Sequence, residues 1–394
     1  MAGDTQEHTR VPERAGAAIA GDRTVVHMDD LARERDLGTV WHDIFYGEKG
    51  APMIAILAIL STVRDRSMRF AVLLWALLLS LAGCAGRMMA PMAGPAPEPS
   101  GTMTMDDGTV LPYRAWMPPS GEAPTAVVLA LHGMNDSRDA WEIPAPDFAK
   151  AGIAVIAPDQ RGFGSTTTRG YWPSGARLAA DADQMARILR ARYPKTRLIL
   201  MGESMGAAVL MVLATGPHPP PADGYVLVAP AVWGRAEMNV FLRSTLWLAS
   251  TLVPGMEVTQ APVRVTASDN RDALIRLSRD PLTLHSTRID SVKGLVDLMD
   301  AALAAAPRFH APALFLYGGK DELVPARATV ATWEALGARE RRAFYPNGYH
   351  LLLRDLDRAT PIGDVIAWIR DPNAPLPSDA ETAASRWVAA RDDD

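Results

Sequence analysis

The chain has 394 residues, of which 48% are hydrophobic and 22% are charged. This composition is typical of a globular protein with a sizeable core, and it excludes a disordered or fibrous chain. The formal net charge is −5 and the sequence has no long Lys/Arg block, which excludes the electrostatic footprint of a nucleic-acid-binding protein. One large domain with flanking segments accounts for the length.

Cys84 is the only cysteine of the chain, so the sequence offers neither an intrachain disulfide nor a cysteine cluster for zinc or iron–sulfur ligation. It ends an apolar run, 70–83, that follows a basic stretch, 64–69. A basic flank, a short apolar run and small residues at its end are typical of a secretory signal. The run is shorter than the about 20 residues that span a bilayer, and we therefore expect a signal peptide at 68–84.

The end of that segment, Leu81-Ala82-Gly83-Cys84, resembles the lipobox of bacterial lipoproteins. The resemblance implies that Cys84 is lipidated and becomes the N-terminus after cleavage. Ala85 stands where an aspartate commonly retains such proteins at the inner membrane, which favours the outer membrane, facing the periplasm. The alternative is a buried apolar helix with an incidental cysteine.

The segment 1–67 conflicts with this interpretation, because a signal peptide begins near the start of its protein. We expect that the natural start is Met68 or Met53 and that 1–67 is not part of the mature protein; a long, unusual leader is the alternative. The Pro/Ala-rich segment 85–100 should be extended and resist packing. We interpret it as a tether from the membrane to the domain.

The segment 101–371 has the pattern of the folded domain, and 372–394 is expected to be a C-terminal tail. After an initial hairpin, apolar runs bounded by turn residues recur, as in parallel strands that are buried on both faces. Helix-like stretches such as 175–191 lie between them, which predicts a mostly parallel, doubly wound α/β sheet. The apolar runs are 126–131, 153–157, 198–201, 225–229 and 313–317.

A long insertion, about 232–312, separates the last two of these runs. Two stretches in it carry apolar residues on one helical face, and Phe241, Trp247 and Leu248 add apolar surface outside the first of them. We interpret the insertion as a helical cap between strands 6 and 7, over the sheet edge where α/β folds bind ligands. A plain set of packing helices is the alternative. The two faces are Leu242/Leu246/Ala249/Val253 and Leu295/Leu298/Met299/Ala302.

The motif Gly202-Glu203-Ser204-Met205-Gly206 follows an apolar strand and precedes the apolar helical stretch 207–214. This strand–turn–helix context is that of the nucleophile elbow of α/β hydrolases, which exposes the serine hydroxyl above the sheet. The glycines are needed because the turn is tight and strained. We predict that Ser204 is the nucleophile; a helix start with incidental glycines is the alternative.

A nucleophilic serine needs a base that takes its proton and a carboxylate that orients the base, in the chain order Ser, acid, His. His350 lies in a turn after the last expected strand, 342–345, and is predicted to be the base. Asp321 lies on the loop after the strand 313–317 and is predicted to be the acid, with Glu322 as the alternative. The remaining downstream histidines are interpreted as packing, surface or loop residues: His218, His285 and His310.

The tetrahedral intermediate of acyl transfer carries an oxyanion that needs preorganised N–H donors. We expect them to be the backbone N–H of Met205 and that of Met134, which lies in the loop after the third strand. His132 is then a structural residue that braces this loop. Asp159 and Arg161, in the turn after the fourth strand, are also interpreted as structural.

Taken together, these residues make 101–371 resemble the monoacylglycerol lipase and lysophospholipase branch of α/β hydrolases, a group with serine aminopeptidase (S33) relatives. The resemblance implies the α/β-hydrolase fold, a triad of Ser204, Asp321 and His350, hydrolysis of glycerolipid or related esters, and no metal or organic cofactor. Asn135 departs from the family, where glycine is common. The matching residues are His132-Gly133, Asp159, Gly162, Gly164, the 202–206 motif, Lys320-Asp321, Pro325 and Tyr349-His350.

The sequence thus predicts a serine hydrolase that cleaves carboxylic esters through an acyl-enzyme, with a small ester or lipid as substrate and a lipid anchor in the membrane. An S33-type aminopeptidase, or another amide or C–C hydrolase, is the alternative in the same fold. An acidic amine-binding cluster in the cap would favour it, but Glu237 and Glu257 form no evident cluster. A non-catalytic envelope lipoprotein is the second alternative, which the complete triad argues against.

Overall fold

The computed structural model describes residues 90–92, 94–119, 121–259, 265–337 and 340–392, which belong to one structural unit. The predictions for the upstream segment, the signal peptide and Cys84 lie outside the described residues. Within the described ranges, none of the helices combines the length and apolarity that crossing a bilayer requires.

A mostly parallel sheet of eight strands runs through the described residues, in the order β1-β2-β4-β3-β5-β6-β9-β10. The first two strands form the expected hairpin, β2 is antiparallel to β4, and the other pairs are parallel. The predicted fold class is confirmed. The strands found in the described ranges, including two in the cap, are β1 (Gly101–Thr104), β2 (Val110–Trp116), β3 (Ala126–Leu131), β4 (Ile153–Pro158), β5 (Arg197–Glu203), β6 (Gly224–Val228), β7 (Glu257–Thr259), β8 (Ser286–Arg288), β9 (Ala313–Gly318) and β10 (Glu340–Tyr345).

Helices cover both faces of this sheet, which is why its central strands are apolar along their whole length. In β3, Val127, Leu129 and Leu131 pack into one core and the alternate residues pack into the other. The helices of the described residues are α1 (Ala145–Lys150), α2 (Gly175–Arg192), α3 (Met205–Ala214), α4 (Val240–Leu252), α5 (Arg271–Arg279), α6 (Ile289–Ala305), α7 (Ala326–Ala335), α8 (Ala359–Arg370) and α9 (Ala380–Asp392).

The cap lies between β6 and β9, which are the sixth and seventh strands of the large sheet, as predicted. It is not purely helical, because β7 and β8 pair in a small antiparallel sheet between its helices. In α6 the predicted apolar face packs into the main core, with Leu298, Met299 and Ala302 almost fully buried. In α4, by contrast, no side chain is buried. The cap is thus anchored through α6 and carries α4 on its surface.

The segment 372–394, expected to be a tail, contains α9, which packs against the edge strand β10. Trp387 stacks on Phe344 with a centroid distance of 4.5 Å, and Arg341 of β10 is paired with Glu381 of α9. The structure therefore differs from the prediction, and the folded domain extends to the end of α9. The helix covers the edge strand of the sheet, which would otherwise be exposed.

The N-terminal segment, expected to be an unpacked tether, also lies against the domain from Ala90 onward. The guanidinium of Arg169 donates to the carbonyl oxygen of Ala90 at 3.1 Å, and that of Arg138 donates to Pro97. Arg169 also donates to the carbonyl oxygens of 281–283 in the cap. This buried arginine therefore joins the incoming chain to the cap.

Candidate active site

Ser204 lies in the turn between β5 and α3 with φ 54° and ψ −112°. Its N–H donates to the carbonyl oxygen of Val228 in β6 at 2.9 Å, which fixes the turn to the neighbouring strand. A Cβ at Gly202 would meet the backbone of the following helix, and one at Gly206 would meet the carbonyl oxygen of Leu131. Glycine is therefore required at both positions, as the motif predicted.

Asp321 and His350 are brought together by the loops that follow β9 and β10. Nδ1 of His350 donates to Oδ2 of Asp321 at 2.8 Å. The His350 side chain is 5% exposed and that of Asp321 is 0% exposed, so solvent does not compete for this bond. Oδ1 of Asp321 accepts from the N–H groups of Leu323 and Val324, which fixes the carboxylate.

Glu322, the alternative acid, is placed differently. Its carboxylate accepts from the N–H of Thr266 at 2.8 Å, and its residue is exposed. Asp321 is therefore the one of the two that contacts His350. The described hydrogen bonds of His350 do not include the Ser204 hydroxyl; the bond between nucleophile and base is often long before substrate binds.

The pKa of His350 is raised from its usual 6.5 by a balance of opposing causes. Burial of the ring lowers the pKa. Asp321 raises it through its charge and its hydrogen bond, and the charge of Glu203 raises it as well. The charge of Arg354 lowers it. The net direction means that the site favours the imidazolium form, which is the form that His350 takes after accepting a proton from a nucleophile.

One of the two expected oxyanion donors lies in the elbow itself, and the other lies in the loop that passes next to it. Met205 begins α3 directly after Ser204 and is fully buried. Gly133 passes so close to the elbow that an added Cβ would lie 3.5 Å from Cβ of Ser204, which brings the peptide of Met134 next to the nucleophile. The donor roles of Met134 and Met205 stay predictions, and this placement is what they require.

His132 braces this loop. It is fully buried, its Nδ1–H donates to the carbonyl oxygen of Gly133 at 2.7 Å, and its Nε2 accepts from the N–H of Gln160 at 3.0 Å. Burial lowers its pKa, so the ring stays neutral and keeps one tautomer. This geometry fits the structural role expected for His132.

Asp159 and Arg161 likewise make structural contacts. Asp159 is fully buried and paired with Arg138, and it also accepts from the backbone of Ser165 at 2.8 Å. Arg161 donates to both carboxylate oxygens of Asp181 on α2. These pairs fix the turn after β4 beneath the oxyanion loop, as the sequence interpretation has it.

Asn135, the departure from the family pattern, has φ 63°. This left-handed conformation favours glycine, but asparagine tolerates it better than other residues do. Its Nδ2 donates to the hydroxyl of Thr287 in β8 at 2.6 Å, and its carbonyl oxygen accepts from the N–H of Leu284 at 2.8 Å. Asparagine therefore keeps the turn and adds a bond to the cap that glycine could not make.

A buried charged group was missed by sequence reasoning. Arg354 donates to Asp136 at 2.9 Å and also to Glu203, and all three side chains are almost fully buried. The signal was the glutamate inside the elbow motif, because a carboxylate at the end of an apolar buried strand needs a buried partner. Its partners are far away in the chain, so the sequence did not identify them.

Among the described residues, no three His, Cys, Asp or Glu side chains are grouped so that they could hold a metal ion.

The elbow and the Asp321–His350 pair meet at the carboxyl edge of a mostly parallel sheet, where ligands bind in open α/β folds. Together they define a serine hydrolase with the α/β-hydrolase fold. The chain belongs to the serine aminopeptidase S33 family, whose model matches residues 122–357.

Among curated proteins, the chain is similar to the monoacylglycerol lipase of Mycolicibacterium smegmatis, with 24% identity over 66% of this chain and 93% of that protein. It is similar to the monoglyceride lipase of Rattus norvegicus, with 24% identity over 67% of this chain and 88% of that protein. Among solved structures, the Paleococcus ferrophilus monoacylglycerol lipase superposes with a TM-score of 0.56 at 21% identity, over 66% of this chain and 98% of that one. This structural likeness supports the fold.

The raised pKa of His350 predicts the pH dependence of the site. Only the neutral imidazole can take a proton from Ser204, so activity should fall as the pH drops through the pKa of His350. We expect the acidic limb of kcat/KM to lie above pH 6.5, measured with a soluble ester. A wild-type limb at or below pH 6.5 would contradict this assignment.

Asp321→Asn should lower kcat about 10⁴-fold, because the imidazole of His350 then no longer keeps the tautomer that accepts the proton of Ser204.

The conformation of Asn135 predicts an unusual order of stabilities. Asn135→Gly keeps the left-handed turn and loses one hydrogen bond, which costs about 1 kcal/mol, whereas Asn135→Ala adds a strain of about 1–2 kcal/mol. Urea unfolding should therefore find the glycine variant the more stable of the two. Thr287→Val is the matched control: combined with Asn135→Gly it should add little further loss, because both remove the same bond. Alanine as the better replacement would refute the argument.

Proposed function

We propose that this protein hydrolyses monoacylglycerols or lysophospholipid-like esters, with Ser204 as nucleophile, His350 as general base and Asp321 as the carboxylate that orients it. The observation that carries the proposal is the 2.8 Å bond between His350 and Asp321, at the sheet edge where the strained elbow presents Ser204. An aspartate on Nδ1 leaves Nε2 of the imidazole as the proton acceptor.

The reaction follows from these positions. His350 takes the hydroxyl proton of Ser204 as the oxygen attacks the ester carbonyl carbon, and the oxyanion that forms accepts from the N–H groups of Met134 and Met205. The carbon–oxygen bond to the alcohol then breaks, and the alcohol leaves with the proton from His350. Water, deprotonated by the same base, attacks the acyl-enzyme and releases the fatty acid and the free serine.

Two glutamates of the cap speak against a peptide as the substrate. An aminopeptidase needs an acidic group for the substrate amine, and the two glutamates considered in the sequence analysis are both engaged. Glu237 is paired with Arg327, and Glu257 accepts from the hydroxyl of Ser286 at 2.6 Å. The curated relatives named above are monoacylglycerol and monoglyceride lipases, which supports the same choice.

The surface of α4 supports a lipid as the partner. Phe241 is 78% exposed and Trp247 is 64% exposed. Leu248 lies seven positions after Phe241 and Trp247 seven positions after Val240, so each pair shares a side of the helix, and all four side chains are exposed. Large exposed apolar patches are uncommon on soluble proteins and often mark interaction sites. We propose that this patch contacts the surface of a membrane or micelle that holds the substrate.

Labelling with a fluorophosphonate probe tests the nucleophile. The wild type should label and Ser204→Ala should not, whereas Ser244→Ala, an exposed serine of α4, should label like the wild type. A panel of monoacylglycerols, lysophospholipids and aminoacyl amides then tests the substrate class. Equal labelling of Ser204→Ala would refute the nucleophile, and faster cleavage of amides than of esters would refute the lipase assignment.

Polar substitutions on α4 test the lipid contact. Phe241→Ser combined with Trp247→Ser should lower the rate on monoacylglycerol in phospholipid vesicles about tenfold, a loss of about 1.4 kcal/mol of apolar contact. The rate on a short, water-soluble ester should not change, because the triad is untouched. Thr245→Ser, also exposed on α4, is the control. An equal loss on both substrates would show that the patch does not act at a lipid surface.

We also propose that the protein is a lipoprotein of the bacterial envelope, anchored at Cys84 in the outer membrane and facing the periplasm. The lipobox-like sequence at 81–84 supports this. Expressed in a bacterium with a lipoprotein pathway, the wild type should fractionate with the outer membrane and have the mass of a chain that begins at lipidated Cys84, and Cys84→Ser should not. Any other mature N-terminus would refute the anchor.

A further inference from the structure

Three charged side chains with little contact to solvent lie next to the predicted catalytic residues. Asp136, Glu203 and Arg354 are 5%, 3% and 5% exposed. Nη1 of Arg354 donates to Oδ2 of Asp136 at 2.9 Å, and its Nη2 donates to Oε1 of Glu203. One guanidinium therefore bridges two carboxylates, and the group carries a net charge of −1 when all three are ionised.

Each member belongs to a different catalytic loop. Glu203 directly precedes Ser204, Asp136 follows Met134 by two positions, and Arg354 follows His350 by four. The fork of Arg354 thus connects the elbow, the oxyanion loop and the histidine loop.

Further bonds fix the ends of this bridge. The second oxygen of Asp136, Oδ1, accepts from the N–H of Ser137 at 2.8 Å. The carbonyl oxygen of Arg354 accepts from the side chain of Asn270 at 2.8 Å, which ties the histidine loop to the cap. A guanidinium is suited to such a bridge because its donors lie in one rigid plane.

The charges of this group act on His350. Three ionisable groups influence the ring: Asp321 from the loop after β9, Glu203 from the elbow and Arg354 from its own loop. Arg354 alone would oppose a second cation nearby, because like charges repel strongly where the dielectric constant is low. Glu203 offsets that charge, so a cationic imidazole can form beside Arg354.

Resting on the hydrolase function proposed above, we propose that Arg354 and Glu203 are positioning residues of the reaction. Arg354 holds the three catalytic loops in register, and Glu203 compensates its charge so that the imidazolium of His350 can form beside it. Packing alone does not require such a group, because neutral side chains of similar size often replace a buried ion pair without loss of stability.

Two matched amide variants separate the electrostatic role from a structural one. Glu203→Gln and Asp136→Asn each remove one negative charge from a partner of Arg354 and keep an oxygen that can accept its hydrogen bond. Of these two carboxylates, Glu203 is the one whose charge raises the pKa of His350, in addition to the charge of Asp321. Glu203→Gln should therefore move the acidic limb of kcat/KM down by about one pH unit and lower kcat about tenfold at similar KM. Asp136→Asn should leave the limb in place, and both should melt at similar temperatures.

The outcomes are distinguishable. If the wild type hydrolyses esters and labels with a fluorophosphonate, but both variants keep its limb or shift it equally, the charge role of Glu203 is refuted while the proposed function stands. A wild type that neither labels nor hydrolyses refutes the proposed function itself.

A triple variant covers the case in which Glu203→Gln does not fold. Glu203→Gln/Asp136→Asn/Arg354→Met replaces the group with neutral side chains of similar size, which should preserve folding. It should still lose kcat more than tenfold, because the three loops are no longer joined. A triple variant with wild-type kcat and pH profile would overturn the role of Arg354 as well.

Discussion

The turn at Ser204 holds a non-glycine residue at φ 54°, a conformation that costs of order 1–3 kcal/mol and persists only where its surroundings hold it in place. The N–H of Ser204 is held by Val228, and its carbonyl oxygen by the N–H of Ala231. Gly202 and Gly206 leave the space that a Cβ would fill. Because the chain reverses here from β5 into α3, the direction of that helix and the exposure of the serine both depend on this one turn.

The parallel sheet assembles the other groups around the turn. Parallel strands end at the same edge, so the loops after β9 and β10 bring Asp321 and His350 to the elbow from elsewhere in the chain. Several charged side chains are therefore buried at this edge of the sheet, and buried charges must be paired. The Asp321–His350 pair and the bridge through Arg354 both meet that requirement, and each joins segments that the sheet alone does not connect.

Local patterns were enough to predict the sheet and the position of the cap, and they indicate Ser204, Asp321 and His350 as candidates, because a strand, a turn and a following helix leave their signal in consecutive residues. The features that the sequence did not predict depend on contacts between residues that are far apart in the chain. Arg354 is 151 positions from Glu203 and 218 from Asp136, and the strands of the β7–β8 pair have three residues each, too few for a periodicity. The helix α9 has a weak apolar face, and its place in the fold depends on the ring stack against β10.

The contact of Arg169 with Ala90 limits how far the domain can be from an anchored N-terminus. Ala90 follows Cys84 by six positions, and a fully extended chain covers at most about 3.5 Å per residue. With the anchor proposed at Cys84, the segment between the lipidated residue and Ala90 therefore spans at most about 20 Å, which is less than the diameter of the domain. Such a protein would not search the periplasm freely. It would remain at the membrane surface, with the cap segment 281–283, which Arg169 also holds, always close to the lipid.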